Sequence, residues 1–344
     1  MMLDELYELA VPISLIFTLS LTFTITLSSA YYFYISGRMP ERTVRYVAAA
    51  SLFTLILMTI AISHYLSLYT LFTSPTVSII WYPTLIFVVV VILCRSVFCR
   101  LSIMGLGREV WEVVDGTPVY IYGGDGEVRD AHYDWLRGGV YFTKSYFSIL
   151  TDDERMAVIY HKLGHVKDRF WMWVIYVLGV LWVFILPIIV SIVIFTTYSS
   201  LQQLSITKAV LPTTLLTLLP MYAASIMVVQ WIHEHEVDIY ASRRVGMTPL
   251  VQAFLKLEVY TAMRGFEKMV ESITFSKTFE ESRISYFEIL REVTLRCFKY
   301  MVGLFREVIE RPLPESHPPL RLRINTIITR SRNPPQIRNG LFPS

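Results

Sequence analysis

Two histidines, His161 and His165, stand four residues apart in the stretch "VIYHKLGHVKD". On a helix that spacing puts both imidazoles on one face, where they can grip one metal ion. A metal held by three protein ligands keeps a position for water and lowers that water's pKa toward about 7, which makes a nucleophile for hydrolysis. The reaction also needs a proton acceptor beside the water. The residue after the first histidine is Lys162, and an ammonium has no lone pair with which to accept a proton. The spacing offers a metal site and withholds its base.

A helix must carry the pair. Thr151, followed three residues later by Glu154, forms a capping-box signature, so the spacing predicts a helix that starts near Asp152 and continues through both histidines. A third ligand has to come from elsewhere, and the other dense cluster is "WIHEHEVDIYASRR", residues 231–244. Glu234 and Asp238 share a helix face there, which suits a metal ligand with a carboxylate behind a ligand histidine. His233 and His235 compete with Glu234 by chemistry alone, and the same run also reads as a solvated charged helix end.

The rest of the chain predicts a membrane setting. Of 344 residues 54% are hydrophobic and only 17% charged, and the mean hydropathy is positive, so lipid is expected to take the apolar excess. Runs near 11–35, 47–72, 76–98, 171–197 and 210–231 are each about 20 residues or longer, enough to cross a bilayer. Arg38, Arg42 and Arg45 in the first loop place that loop, the polar insert 100–169 and the tail after His233 in the cytoplasm by the positive-inside rule. Trp171 and Trp173 read as an interfacial belt, with Lys167 and Arg169 near headgroups.

The expected division is N-terminal membrane helices over 1–98, a sheet and metal-binding helix over 99–170, a transmembrane hairpin over 171–232, and a helical region over 233–344. Within the insert, 117–124 and 138–144 are β-rich and turn-bounded, and the strand 139–143 is the candidate edge for an extended peptide. The pattern from 248 to 311 is helical and ends in a proline-rich tail. The net charge of +3 is small, and its basic residues do not form a patch for nucleic acid, which is not expected as a partner. Three cysteines, Cys94, Cys99 and Cys297, are too few and scattered for a disulfide framework.

Three motifs in order resemble the HtpX-type integral-membrane zinc metallopeptidases, relatives of the CAAX prenyl endopeptidases. His161-Lys162-Leu163-Gly164-His165 stands where that family has H-E-x-x-H. Glu234 and Asp238 match its E-x-x-x-D segment, and Ser316-His317-Pro318 with Arg323-Ile324 matches its C-terminal His-Pro motif. The resemblance covers roughly residues 117–325.

With the runs and loop charges above, it gives a mainly α membrane protein, with about five transmembrane helices and a cytoplasmic zincin-like domain holding a small β-sheet. It further implies a multi-pass protein of the cell membrane, active at the cytoplasmic face on misfolded or damaged membrane proteins, with the lipid bilayer as a second partner. One Zn²⁺ is expected on His161, His165 and Glu234, with Asp238 behind them. His317 and Arg323 are expected to steady the substrate carbonyl or the oxyanion.

Lys162 occupies the general-base position. Three readings of it follow: a pseudoprotease that binds peptides without cutting, a neutral lysine with its pKa depressed by zinc and burial, or a single-base change from glutamate.

Overall fold

The computed structural model describes residues 2–51, 53, 86, 90, 108–123, 131–134, 138–168, 170–171, 174, 206–262, 284–302 and 317–332. Helix α1 (Met2–Ile35) is followed by a helical segment over 41–51. Four strands come next: β1 (Arg108–Val114), β2 (Thr117–Tyr122), β3 (Ala131–Asp134) and β4 (Gly139–Thr143). Six further helices complete the described residues: α2 (Lys144–Ile149), α3 (Asp152–Lys167), α4 (Ile206–Val245), α5 (Met247–Ala262), α6 (Tyr286–Val302) and α7 (Leu320–Arg332).

The sheet order is β1-β2-β4-β3. β1 and β2 form an antiparallel hairpin over Asp115-Gly116, both at positive φ (47° and 76°), the left-handed pair that a tight two-residue turn requires. β2 pairs with β4 in parallel, and β3 pairs with β4 antiparallel. This corrects the expectation for 139–143: β4 is hydrogen-bonded on both sides and is no edge. β3 is the outer strand on that side.

Val119, Val140 and Phe142 point from the sheet into a core shared with Tyr146, Ile149, Val158, Ile159 and Leu163. The expected capping box is present at the start of α3. Thr151 Oγ1 accepts from the Glu154 amide, and the Glu154 carboxylate accepts from the Thr151 amide at 2.8 Å. The same carboxylate oxygen receives Lys256 Nζ at 2.8 Å, and Lys256 also donates to the Ile149 carbonyl at 3.1 Å. Both side chains are buried, so this pair fixes α5 across the start of α3 with its charge matched and two hydrogen bonds made by the ammonium.

The membrane architecture is overturned. Among the described residues no helix is long and apolar enough to cross a membrane, so neither the five-span fold nor the multi-pass location with a cytoplasmic face is retained. The spans expected at 47–72, 76–98 and 171–197 lie mostly outside the described residues. The other two apolar runs fall in α1 and α4, and their described ends, 27–35 and 221–231, contribute to a protein core. Residues 221–235 of α4 are buried without a break, the signature of a helix packed all round. They meet Leu27, Ala30, Tyr31, Tyr34 and Ile35 of α1, together with Ile289 and Val293 of α6.

That core carries polar links between α1 and α4. Tyr31 Oη lies 2.6 Å from His235 Nε2, and Tyr34 Oη donates to Glu236 at 2.8 Å. Trp171 packs against the same core beneath the Arg45 guanidinium, 4.8 Å from its centroid, rather than in an interfacial belt. Lys167 Nζ sits 4.8 Å from the Tyr240 ring instead of reaching for headgroups.

The proline-rich tail also differs from its expectation. The Pro319 carbonyl accepts from the amides of Leu322 and Arg323 at 2.9 and 3.1 Å, so Pro319 opens a helix rather than extending a tail. Prolines are tolerated at that end because the amide they lack would be unpaired there anyway. α7 buries Leu322, Arg323, Ile324, Thr326, Ile327 and Ile328, against α3, α4 and α5.

Candidate metal centre

α3 and α4 cross closely because Gly164 leaves room. A Cβ at that position would stand 2.9 Å from Val237 Cγ1 and 3.1 Å from Tyr240 Cδ1, below ordinary contact. The approach sets His161 and His165 against Glu234. His161 Nε2 lies 3.6 Å from Glu234 Oε2, and His165 Nε2 lies 3.6 Å from Glu234 Oε1. The three donor atoms fall within 4.8 Å of one another. Ligands about 2.0–2.1 Å from a tetrahedral centre stand about 3.4 Å apart, so the two short separations suit a shared ion. His161, His165 and Glu234 form a buried group that could hold a metal ion.

The donor set fits a cation in another respect. His161 Nδ1 lies 2.9 Å from Asp238 Oδ1. The pair is an ion-pair contact without hydrogen-bond alignment; the carboxylate's charge favours the proton on that nitrogen, which leaves the Nε2 lone pair toward Glu234. Glu234 Oε2 is buried and makes no hydrogen bond. A lone pair thus faces a carboxylate oxygen across 3.6 Å, an arrangement that a cation relieves.

The titration of these groups points the same way. Burial pushes the His161 imidazole down to about 4 against partial opposition from Asp238, and Lys162 adds to the lowering. Burial also holds His165 well below the usual histidine range. Both rings are neutral near pH 7, the form that binds metal. Burial raises the Glu234 carboxyl, but positive charge on the neighbouring His317, His165 and His161 rings, in the acid range where they protonate, and a hydrogen bond from His317 outweigh it and hold Glu234 well below the usual carboxylate range.

The remaining predicted residues gather around this group. Arg323 donates to Asp238 through Nε at 2.8 Å and through Nη2 at 2.6 Å, a two-pronged buried pair. Its guanidinium covers the Phe254 ring at 3.8 Å. The fork is spent on Asp238, so Arg323 reaches the ligands mainly through the carboxylate behind His161. His317 Nδ1 lies 3.1 Å from Glu234 Oε2, with its side chain half-exposed. His161, Lys162, His317 and Arg323 all line one cleft, together with Ala131 of β3, Tyr146 and Glu258. Ser316 lies outside the described residues.

His233 and His235, the competing ligands, point elsewhere. His235 Nε2 is hydrogen-bonded with Tyr31 Oη on α1, and His233 sits behind His165. Tyr146 and Glu258 were not singled out from the sequence. They reach the cleft from α2 and α5, and no spacing rule joins those helices to the histidine pair. The chain matches no known protein family, no curated protein and no solved structure.

Two outcomes are expected from this geometry. Gly164→Ala inserts a methyl group between α3 and α4. Overpacking costs about 1–3 kcal/mol, against about 1 kcal/mol regained in helix propensity, so the net loss is about 0–2 kcal/mol and the melting temperature falls modestly. Metal affinity falls more, because the wedge parts both histidines from Glu234; a metal titration alongside a thermal melt reads the two effects separately.

The second concerns acid. The folded pKa of about 4 for His161 and about 3 for His235, where burial again dominates, lie below the unfolded value near 6.5. The unfolded chain therefore binds more protons across that window, and stability of the metal-free protein falls as pH drops from about 6.5 toward 4. His161 alone contributes on the order of 3 kcal/mol. Urea midpoints taken between pH 7.5 and 4 measure the loss, and a flat profile would contradict neutral buried imidazoles.

Proposed function

We propose that this chain is a zinc metalloendopeptidase that hydrolyses peptide bonds in unfolded or damaged proteins, with its turnover lowered by Lys162. One observation carries the reading: the donor atoms of His161, His165 and Glu234 lie together, and His161 also lines a cleft with His317, Arg323 and Lys162. Two imidazoles and a carboxylate are a common zinc set for hydrolysis, with a fourth position left for water. The order of the three motifs, which resembles that of HtpX-type peptidases, supports the same chemistry. Once bound, zinc would supply Lewis acidity and lower the pKa of a coordinated water.

The chain's own residues then divide the work. Asp238, clamped by Arg323, orients His161. His317, at the open side of Glu234, is placed to donate a hydrogen bond to a peptide carbonyl entering the cleft. Lys162 puts a positive charge where a proton acceptor is needed. That charge favours a second reading, a silent relative that holds peptides without cutting them.

The experiment is zinc analysis of the purified chain, followed by cleavage of an unfolded polypeptide with and without a chelator. One zinc per chain and slow chelator-sensitive cleavage are expected. Zinc with peptide binding and no cleavage selects the silent relative, and zinc binding unaffected by Glu234→Ala overturns the ligand set.

A further inference from the structure

Each ligand histidine has a second nitrogen, and the two are managed differently. His161 meets a carboxylate directly. His165 does not: its Nδ1 lies 2.8 Å from Nε2 of another imidazole, His233. His233 Nδ1 in turn lies 3.1 Å from Asp168 Oδ2. The same oxygen receives Arg45 Nη1 at 2.7 Å. His233 is 2% and Arg45 1% exposed at the side chain, whereas Asp168 is 31% exposed. Four residues from three separate parts of the chain thus form one line that ends on a ligand: the helical segment 41–51, the end of α3, and α4.

We infer that His233, held by Asp168 and Arg45, is a positioning residue of the metal centre, fixing the proton and the ring plane of His165 from behind. The inference rests on the ligand set proposed above. The direction of the line follows from hydrogen-bond chemistry alone. A carboxylate accepts, so in neutral His233 the proton sits on Nδ1 and is donated to Asp168. That leaves Nε2 of His233 as an acceptor, which obliges His165 to carry its own proton on Nδ1. His165 Nε2 is then a bare lone pair facing Glu234 Oε1 at 3.6 Å. The opposite orientation would set His233 Nδ1 and Asp168 lone pair against lone pair, within 3.1 Å.

Arg45 secures the far end. It also pairs with Glu41 at 2.6 Å and stacks on Trp171, so Asp168 is held on a fixed group rather than a mobile one. The two arms are therefore Arg323–Asp238–His161 and Arg45–Asp168–His233–His165, and each ends in a ligand nitrogen that is ready for a metal. Partners of this kind typically change metal affinity by about 10- to 100-fold when removed.

The test compares the full chain with His233→Leu, His233→Gln and Asp168→Asn. Zinc affinity is read by competition with a chromophoric chelator, and ligand geometry by the visible spectrum of the cobalt(II) form. His233→Leu should weaken zinc by about 10- to 100-fold and shift the cobalt bands. His233→Gln can accept from His165 and donate to Asp168, so it should recover most of the affinity. Asp168→Asn, at a partly exposed position that tolerates change, should weaken zinc by a smaller factor and guards against a misfolded leucine variant.

Zinc binding within twofold of the unaltered chain in both His233→Leu and Asp168→Asn, with cobalt bands unmoved, overturns the inference. An unaltered chain that takes up no metal, or one indifferent to Glu234→Ala, overturns the ligand set instead, and the two failures are told apart by that control.

Discussion

Lys162→Glu raises chelator-sensitive cleavage of an unfolded polypeptide by about 10²- to 10⁴-fold over the unaltered chain, the usual worth of a positioned general base. Position 162 follows the first ligand on α3, and its side chain lines the cleft. A lysine there has three protons and no lone pair, and its charge adds to that of any bound cation. A glutamate can take a proton from water and return it to the leaving amine. Metal content serves as the control: it should hold steady or rise, since Lys162 is not a ligand and its removal lifts a like-charge repulsion.

The comparison also has a clear losing outcome. Equal cleavage by the lysine and glutamate forms would move the base elsewhere. Glu258 is the one carboxylate among the described residues lining the cleft, and Glu258→Gln would then be the variant to abolish activity. No cleavage by either form, with zinc bound, would remove the peptidase reading and leave the peptide-holding one.

The parts of the site that could be read in the sequence are those encoded at short range. The capping box at Thr151 and Glu154 starts α3 as expected, and the i, i+4 spacing then puts both histidines on one face because a helical turn takes about 3.6 residues. Glu234 and Asp238 follow the same rule on α4. The line behind His165 is long-range: Arg45, Asp168 and His233 have no spacing relation and meet only because the segment 41–51 packs near the junction of α3 and α4.

Apolar runs carry an ambiguity of their own. A helix buried on every side by protein and a helix facing lipid need the same residues. In the run at 210–231 the described side chains, 221–231, are buried, several of them against α1, α6 and α7. Strand order is likewise a tertiary fact: β4 reads as a plausible edge until β2 and β3 are seen on its two sides.

Arg323→Met is expected to cost about 3–5 kcal/mol, the loss typical when one partner of a buried ion pair is removed. The reason is what it leaves behind. Asp238 is wholly buried, and Arg323 supplies two of its hydrogen bonds, at 2.8 and 2.6 Å; methionine supplies none. The carboxylate would keep only His161 Nδ1 nearby, at 2.9 Å, and its uncompensated charge would favour a second proton on that ring, at Nε2, turning His161 from a ligand into a cation.

The double variant Arg323→Met with Asp238→Leu separates the two roles. Replacing both charges by apolar groups is often close to neutral for stability, so its urea midpoint should return most of the way to that of the unaltered chain. Its zinc affinity should not return, because His161 has lost the acceptor that fixes its proton on Nδ1, and a deficit of about 10- to 100-fold should persist. A double variant that regains both stability and affinity would make the pair a packing device alone. One that regains stability and stays weak for zinc would tie the buried charges to the metal centre, and explain why the fold keeps a pair that apolar side chains could replace.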